Sequence, residues 1–510
     1  MALLQHTRRR FLAGTGAWLG ASALGFATGE ENSKTISIFY TTDLHGHILP
    51  TQTYGGMPDV GGFARCASCI RQWRKETPDS LLVDIGDVYQ GTAESLINEG
   101  KLMIGLFNRL GYDAWTLGNH DFDWGPESLE ANLSLSKSPI LTGNLERAGK
   151  KPGSLEGAWK NVKPWTMKEV GGFKIALIGI VTPGLPYWLS PETLGGVLPT
   201  DPIESLRKSL AEARADKADA IVLMGHMGFR NGDDFANPVH EMLNANKGVD
   251  IFLAGHTHQD KPSWEIGSVL CSQASYFGIN LGRVDLTFDL DSRKIIRRRA
   301  MTVLMDKRFD FDPVVMEVAQ PDLKTAESQL ARSLGVATAV IDGKGRGSRL
   351  TQLFGEFFSE ALLRNQTPVD GIFHGTFGSG DIPAGEITVA DCWQILPYEN
   401  LLCTAEVTGA ELVKIVREDR KDSKSDRTLW PFDLVLDRKG EPTRFLYKGE
   451  PVASDRRFKI GFNSYDLQSG GQKLMRLRAI AADPAAKRLT TTIDTRSALV
   501  DGILNRKEVS

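Results

Sequence analysis

Short apolar runs recur along the first three hundred residues of the chain. They lie at 36–40, 80–83, 114–117, 140–142, 174–180, 220–224, 250–254 and 283–288. Several are continuous rather than alternating, which is typical of strands buried on both faces of a sheet. Helical stretches lie between some of them, for example at 203–215. The pattern predicts an α/β domain built in layers.

A second group of apolar runs follows over 336–506. Between the two groups we predict a linker helix over 322–335, directly after Pro321, with Leu323, Ala326, Leu330 and Leu334 near one face. A chain of 510 residues has room for about two to four domains. We therefore divide it into a layered domain over 34–310, a linker over 311–335 and a smaller second domain over 336–506.

The composition is that of a globular protein, with 41% hydrophobic and 24% charged residues. The formal net charge is −3. This near balance gives no indication of binding to a nucleic-acid polymer or to a membrane surface.

The N-terminus departs from this composition. Adjacent arginines at 8–10 precede Phe11 and Leu12, and an apolar stretch rich in Gly and Ala continues to Ala27. A basic cluster, a modest apolar run and a small-residue end are typical of an export signal, and the arginines resemble a twin-arginine signal. The alternative is a membrane anchor, but the stretch is short and weakly apolar for a permanent span. We predict a signal over 1–29, cleaved near Ala27, that uses the twin-arginine export machinery and leaves a periplasmic or secreted protein.

The cysteines predict no disulfide framework. There are five of them, an odd and sparse set. Cys66 and Cys69 share helical spacing with Phe63, Ile70 and Trp73, and no second pair completes a zinc site. We interpret both as buried residues of a helix.

Five polar clusters each follow an apolar run closely. They are Asp43-Leu44-His45, Asp84-Ile85-Gly86-Asp87, Gly118-Asn119-His120-Asp121, Gly225-His226 and Gly255-His256-Thr257-His258. In open α/β sheets, ligand and catalytic groups gather at the carboxyl ends of strands, so the clusters can meet in one crevice. Five unrelated polar strand ends are the alternative. However, five of the nine histidines belong to these clusters, which favours one site.

The donors in these clusters are carboxylates, an amide and imidazoles, without cysteine. Such a set suits Mn, Zn or Fe. It is too large for one tetrahedral site and sufficient for two metals that share a bridge, about 3.5–4 Å apart. Two dications against two aspartates leave a positive pocket, which favours an anionic substrate such as a phosphate ester. Of the remaining histidines, His47 supports a ligand or turns the loop, and His240 lies at the surface.

The order of the clusters resembles that of the calcineurin-like metallophosphoesterases. In particular, it resembles the bacterial 5′-nucleotidase and 2′,3′-cyclic phosphodiesterase family. The resemblance covers nearly the whole mature chain, at 41–46, 61–62, 84–91, 118–123, 225–226 and 255–258, and in the second domain at 385–388 and 396–400. It implies a four-layer α/β/β/α sandwich followed by a smaller α+β substrate-binding domain.

The resemblance also implies a role for each site residue. Asp43, His45 and His258 bind one metal, Asn119, His226 and His256 bind the other, and Asp87 bridges the two. His120 stabilises the developing charge or protonates the leaving oxygen, while Asp123 holds its ring. Asp84 orients a ligand. The implied nucleophile is water or hydroxide held by the two divalent metals, with no covalent intermediate.

The second domain departs from the pattern of family members that act on nucleotides. These often carry an Asn-Gly-Gly-Gly-Ile-Arg run, where this chain has His374 in place of the Asn and Ser379 in place of the Arg. Gln472 replaces the Asp of a later Gly-Gly-Asp run. Losing the Arg removes a bidentate anion contact that Ser cannot supply.

Other substrate positions are retained. Tyr398 and Tyr465 correspond to the aromatic pair that holds a base, and Arg349 lies one place from an expected phosphate-side Arg. Together with His374, they are the substrate-binding candidates. The two tyrosines are equally compatible with ordinary packing.

The prediction is therefore an exported metal-dependent hydrolase of phosphate esters, with nucleotides or related organic phosphates as small-molecule substrates. One alternative is a relative of the sulfur-oxidation thiosulfohydrolase, acting on a carrier-bound S-sulfonate. Another is a non-catalytic metal-binding relative, which predicts missing ligands or a missing His-Asp pair, whereas all are present here.

Overall fold

The computed structural model of the chain describes residues 32–377 and 380–510. The predicted export signal and Ser379 lie outside these ranges. Within them, no helix is both long and apolar enough to cross a membrane.

Two sheets packed face to face form the first domain. The seven-stranded sheet runs, in spatial order, through Ile295–Leu304, Asn280–Asp289, Ser33–Thr41, Ser80–Asp84, Ala114–Trp115, Ile140–Leu141 and Val162–Lys163. The six-stranded sheet runs through Asp260–Ile266, Val269–Ala274, Ile251–Ala254, Ala220–His226, Phe173–Val181 and Trp165–Val170. The central strands of both sheets are parallel. Antiparallel strands occupy both edges of the six-stranded sheet and one edge of the seven-stranded sheet, whose other edge strand, Val162–Lys163, is parallel to its neighbour. Because the central strands are parallel, their carboxyl ends lie at the same end of each sheet.

Apolar side chains from both sheets fill the space between them. Ile36, Ile38 and Val83 from one sheet meet Val222 and Leu253 from the other in a fully buried cluster. Helices cover the two outer faces. They are Phe63–Glu76, Ala93–Ile97, Lys101–Leu110, Gly125–Leu135 and Pro313–Leu330 on one side, and Pro202–Ala215 and Val239–Ala245 on the other. The domain is thus the predicted four-layer α/β/β/α sandwich.

The connections of this domain contain shorter elements. A small two-stranded sheet pairs Leu145–Arg147 with Val197–Pro199, and the short helix Pro191–Leu194 precedes its second strand. Single 3-10 turns occur at His120–Phe122, Gly157–Asn161 and Leu185–Tyr187.

The second domain is built on a five-stranded sheet. Its spatial order is Thr428–Trp430, Gly371–His374, Arg457–Asn463, Leu401–Thr408 and Leu489–Asp494. Helices Arg349–Arg364, Val389–Ile395 and Thr495–Arg506 enclose one apolar cluster, and Gly409–Asp419, Ser464–Leu467 and Met475–Ala482 enclose another. Two three-stranded sheets complete the domain, one of Gly385–Thr388, Ser333–Ala337 and Glu508–Val509, the other of Phe432–Leu436, Pro442–Tyr447 and Glu450–Pro451. A 3-10 turn lies at Pro484–Ala486.

The helix between the domains differs from the predicted one. It spans Pro313–Leu330, so Pro321 lies inside it, and residues 333–337 form a strand. The side chain of Asp312 caps the helix by accepting from the N–H groups of Val314 and Val315, with proline at the first helical position. This combination is a strong start signal, and it outweighs the single hydrogen bond lost at the internal proline. The predicted helix 322–335 was wrong at both ends.

Both cysteines of the Cys-x-x-Cys pair are buried on the helix Phe63–Glu76. The Sγ atom of Cys66 donates to the carbonyl oxygen of Gly278. This confirms that Cys66 and Cys69 pack as helix residues.

Candidate metal centre and active site

Seven side chains from the five polar clusters meet at the carboxyl ends of the parallel strands. Asp43, His45, Asp87 and His258 place ligand atoms within 4.8 Å of one another, and Asp87, His226 and His256 do the same. The Asn119 amide oxygen lies 3.2 Å from Nε2 of His226. The structure therefore brings together all seven predicted metal ligands, in two groups that share Asp87.

The backbone at these positions is unusual. Asp43, His45, Asp87, His256 and His258 have φ angles of 51°, 48°, 55°, 69° and 53°. Residues other than glycine rarely adopt this left-handed conformation, which costs on the order of 1–3 kcal/mol per residue. Such strain persists where the surrounding fold fixes the side-chain direction, as at a functional site.

Ring orientation in His45 leaves a lone pair facing the centre of the site. Its Nδ1 lies 2.7 Å from the carbonyl oxygen of Gln90, to which it donates. Nε2 therefore carries no proton in the neutral ring. It lies 3.1 Å from Nε2 of His258 and 3.6 Å from Oδ2 of Asp87.

His226 is held in the same way. Its Nδ1 donates to the carbonyl oxygen of Ile85 at 2.7 Å, so Nε2 of the neutral ring again has a lone pair. Nε2 lies 3.1 Å from Oδ2 of Asp87 and 3.2 Å from Oδ1 of Asn119. With the ring neutral, three acceptor atoms converge without a hydrogen between them, and this arrangement requires a positive charge. The donor set therefore fits a divalent cation at each of the two groups.

The protonation states of His45, His256 and Asp87 also suit metal binding, which needs deprotonated ligands. Burial lowers the pKa of His45 to about 3, and it lowers the pKa of His256 to about 3. Burial alone would raise the pKa of Asp87, but the neighbouring His226 and His120 outweigh it and hold that pKa well below its usual value. Near neutral pH the two imidazoles are uncharged and the carboxylate is ionised. His226 differs, because burial lowers its pKa but Asp87 outweighs burial and raises that pKa to about 9, so a metal would displace a proton from this ring.

His258 has a support that sequence reasoning missed. Its Nδ1 lies 2.8 Å from the hydroxyl of Tyr54, and its ring stacks on that of Tyr276 with centroids 5.1 Å apart. The N–H of Tyr54 donates to the Tyr276 hydroxyl at 2.7 Å. No polar cluster surrounds Tyr54 in the sequence, so nothing local indicated this contact.

The predicted catalytic pair is formed. Nδ1 of His120 lies 2.6 Å from Oδ2 of Asp123, and the His120 N–H donates to Oδ1 of Asp87 at 2.8 Å. Burial disfavours a proton on His120, but the charges of Asp123 and Asp87 outweigh it and raise its pKa to about 10. The ring is thus prepared to hold a proton beside the metal ligands.

Two further aspartates shape the ligand loops. Asp84 accepts from the Thr41 hydroxyl at 2.7 Å and from the Gly86 N–H at 2.8 Å. Asp121 accepts from three N–H groups, those of Asp87, Val88 and Gly118, at 3.1, 2.9 and 2.8 Å. Asp84 was predicted to orient a ligand and contacts the loop rather than a ligand side chain. Asp121 was given no role, although it lies within a predicted cluster.

His47 and His240 lie outside the two donor groups. Nδ1 of His47 lies 3.0 Å from the His45 carbonyl oxygen, and its ring stacks on Phe277 at 3.8 Å. It therefore supports the turn that carries His45. His240 is partly exposed and pairs with Asp233.

A cavity of about 420 Å³ adjoins the metal groups and lies between the two domains. Its walls include Asn119, His120, His256, Trp188 and Arg230 from the first domain, and Phe377, Tyr398, Glu399 and Tyr465 from the second. The rings of Tyr398 and His120 are nearly parallel, with centroids 5.5 Å apart. Two of the four predicted substrate residues, Tyr398 and Tyr465, thus reach the cavity.

His374 and Arg349, which were also predicted to contact the substrate, do not line this cavity. His374 is 1% exposed, with the rings of Phe354, Phe358 and Phe377 around it. Neither of its ring nitrogens has a hydrogen-bond partner among the described residues.

The helix phase turns Arg349 toward the C-terminus. Its Nε donates to the carbonyl oxygen of Ser510 and its Nη1 to Glu356. The substituted position Gln472 has a left-handed backbone with φ of 66°, and its N–H donates to the Ser469 hydroxyl.

Several wall residues were absent from the predicted site, among them Trp188, Arg230, Phe377 and Glu399. Glu399 belongs to the quoted 396–400 motif, but its charge alone did not indicate a role. Arg230 follows His226 by four residues and is the one permanently cationic side chain among the described residues of the cavity wall. Its Nε lies 3.4 Å from Asp234.

Comparison with known proteins agrees with this geometry. Residues 36–260 match the calcineurin-like phosphoesterase family, and residues 334–478 match the 5′-nucleotidase C-terminal domain. The chain is 29% identical to a snake venom 5′-nucleotidase of Naja atra over 420 residues, which covers 74% of this chain and 77% of the relative.

Two solved structures share the fold over nearly the whole chain. A putative 5′-nucleotidase from Staphylococcus aureus has a TM-score of 0.79 at 20% identity, covering 92% of this chain and 97% of the other. The sulfate thiohydrolase SoxB of Thermus thermophilus has a TM-score of 0.64 at 19% identity, covering 95% and 96%.

The four-layer domain, with candidate metal ligands at its strand ends, is a metallophosphoesterase domain. The chain belongs to the calcineurin-like phosphoesterases and carries a 5′-nucleotidase C-terminal domain. It is a metal-dependent phosphoester hydrolase of the 5′-nucleotidase type.

Proposed function

We propose that this protein hydrolyses the phosphate esters of nucleotides or related organic phosphates at a two-metal centre. The observation that carries the proposal is the pair of donor groups that share Asp87. Asp43, His45 and His258 would hold one metal, and Asn119, His226 and His256 the other. Two bound divalent metals would activate a water molecule and neutralise the charge of the phosphoryl group.

The side chains around the donor groups supply the other parts of the reaction. His120 donates its Nδ1 proton to Asp123, so it holds a second proton at Nε2 as the imidazolium, the form that Asp123 and Asp87 favour. It can donate this proton to the leaving oxygen as the ester bond breaks. Asp123 keeps the ring oriented and favours its protonated form.

The cavity supports a substrate with a planar group and an anionic group. Phe377 contacts both Tyr398 and Tyr465 edge to face, at 6.3 and 5.7 Å between centroids, which makes one wall aromatic. Such a wall suits a base or another flat ring. Arg230 on the opposite domain offers the anion contact that the second domain lacks at position 379.

A substrate panel tests the proposal. We expect hydrolysis of a nucleoside monophosphate and of p-nitrophenyl phosphate by the protein loaded with Mn, Zn or Fe, and loss of that activity in Asp87→Ala. The thiosulfohydrolase alternative rests on a fold that SoxB shares. Activity on a protein S-sulfonate without activity on any phosphate ester would replace our proposal with that alternative.

We also propose that the protein is exported by the twin-arginine route to the periplasm or medium. The support is the Arg8-Arg9-Arg10-Phe11-Leu12 sequence. We expect Arg8→Lys combined with Arg9→Lys to retain the protein in the cytoplasm, measured by cell fractionation. Normal export of that double variant would contradict the twin-arginine route.

A further inference from the structure

Glu399 of the second domain makes hydrogen bonds to the first domain. Its side chain is 14% exposed at the edge of the cavity. Its Oε2 accepts from Nε2 of Gln90 at 3.0 Å and from Nε1 of Trp124 at 3.1 Å. Its Oε1 pairs with Arg496 of its own domain. One carboxylate therefore bridges two domains.

Each partner of Glu399 in the first domain adjoins a site residue. The carbonyl oxygen of Gln90 accepts from Nδ1 of the candidate metal ligand His45, at 2.7 Å. Trp124 directly follows Asp123, which holds His120. On the other side, Tyr398 directly precedes Glu399, and its ring lies over His120. The hydrogen bonds of Glu399 thus join the segment that carries Asp123 to the segment that carries Tyr398, on either side of the His120 ring.

A purely local role for Glu399, as the counter-ion of Arg496, explains only part of these contacts. Arg496 is also held by the Leu396 carbonyl oxygen at 3.1 Å and lies over the Trp393 ring at 3.5 Å. Pairing with Arg496 needs one carboxylate oxygen, whereas the other faces two donors of the first domain. Gln90 orients its amide nitrogen toward Glu399 while its own side-chain oxygen has no partner among the described residues. A part-buried carboxylate with donors on both sides is costly to separate from either.

We propose that Glu399 is an interdomain positioning residue, which holds the second domain where Tyr398 covers His120. Only the kinetic consequence of this inference rests on the proposed function. The domain arrangement can be measured without any activity. Loss of hydrogen bonds to a charged group should reduce the population of this domain arrangement, relative to all others, by about 10–100-fold.

Distance measurement between the domains tests the proposal in the full-length, metal-loaded chain. Spin labels can be placed by Leu198→Cys in the first domain and Val435→Cys in the second, because both side chains are exposed and the five native cysteines are buried. We expect Glu399→Ala to broaden and displace the distance distribution. The matched control is Glu356→Gln, which alters ion pairs to Arg349 and Arg506 inside the second domain, and it should leave the distribution unchanged.

Trp124→Phe provides a milder variant if Glu399→Ala does not fold. It removes one donor to Glu399 and keeps the aromatic packing. On a phosphate ester, we expect each variant to lower kcat/KM and the double variant to lose less than the product of the two effects. Folded Glu399→Ala with an unchanged distance distribution would overturn the proposal. If the wild-type protein hydrolyses no phosphate ester but Glu399→Ala still displaces the distance distribution, the proposed function would be contradicted and the positioning role supported.

Discussion

Removing the imidazole of His120 tests the assignment of the leaving-group acid. In His120→Ala, the residue loses its contact with Asp123, but its backbone N–H still donates to Asp87. The ring belongs to neither donor group, so metal content should stay at the wild-type level. Acid assistance contributes about 10²–10⁴-fold, which corresponds to about 3–5 kcal/mol in the barrier.

The assay compares kcat/KM for two leaving groups and measures metal content in parallel. p-Nitrophenolate leaves without protonation, whereas an alkoxide needs a proton. We therefore expect the loss in His120→Ala to be small for p-nitrophenyl phosphate and close to the full range for an alkyl phosphate. Equal losses for both esters would indicate that His120 stabilises charge on the phosphoryl oxygens instead. Unchanged turnover on both esters, with metal retained, would refute a catalytic role for His120.

The pH profile of Asp123→Asn tests the same reasoning. Asp123 and Asp87 raise the pKa of His120 against the effect of burial. Replacing the carboxylate of Asp123 with an amide should lower that pKa. In a reaction that needs protonated His120, the loss of activity with rising pH would then begin at a lower pH. The alkaline limb of the kcat/KM profile should therefore move toward lower pH. An alkaline limb that stays in place would separate His120 from that ionisation.

Three further predictions concern the surroundings of the site. Tyr54→Phe removes the hydroxyl beside Nδ1 of His258 and should weaken metal affinity about 10–100-fold in calorimetric titration, with no change expected from a substitution remote from the ligands. Asp121→Ala leaves three buried N–H groups without their acceptor and should lower the free energy of unfolding by about 3–5 kcal/mol in urea titrations, while Asp121→Asn should cost less. Arg230→Gln should raise KM for a nucleoside monophosphate several-fold with little change in kcat. Arg349→Gln, outside the cavity, should leave KM unchanged. A KM of Arg230→Gln equal to that of the wild type would show that Arg230 does not bind the substrate.

The metal centre could be located from the sequence because strand ends are visible in it. Continuous apolar runs predicted strands buried on both faces, and ligand groups gather at the carboxyl ends of strands in open α/β sheets. The polar residues that follow each run, from Asp43 to His258, were therefore expected to converge. Their separation by more than 200 residues was no obstacle, since the sheet order brings them together.

The substrate-binding residues could not be predicted equally well by the same reasoning. Whether a side chain faces the cavity depends on helix phase and on packing between domains, and neither is encoded in a short motif. Arg349 turned toward Ser510, and His374 lies among phenylalanine rings. Glu399 and Tyr54 make their contacts with residues far away in the sequence, Gln90 and His258, so no local pattern indicated these contacts.

The start of the interdomain helix shows a different reason for error. Leu323, Ala326 and Leu330 gave a helical pattern, and Pro321 was taken as its start. The capping side chain of Asp312 starts the helix nine residues earlier. A cap followed by proline at the first helical position is a stronger boundary signal than an internal proline.

Metal stoichiometry tests the central claim most directly. We predict about two divalent metal ions per chain by elemental mass spectrometry, in protein purified under metal-replete conditions without chelators. Asp87→Ala, which removes the ligand shared by both groups, should bind markedly less metal than the wild type. Wild-type protein that contains no divalent metal under these conditions, yet hydrolyses phosphate esters, would contradict the account.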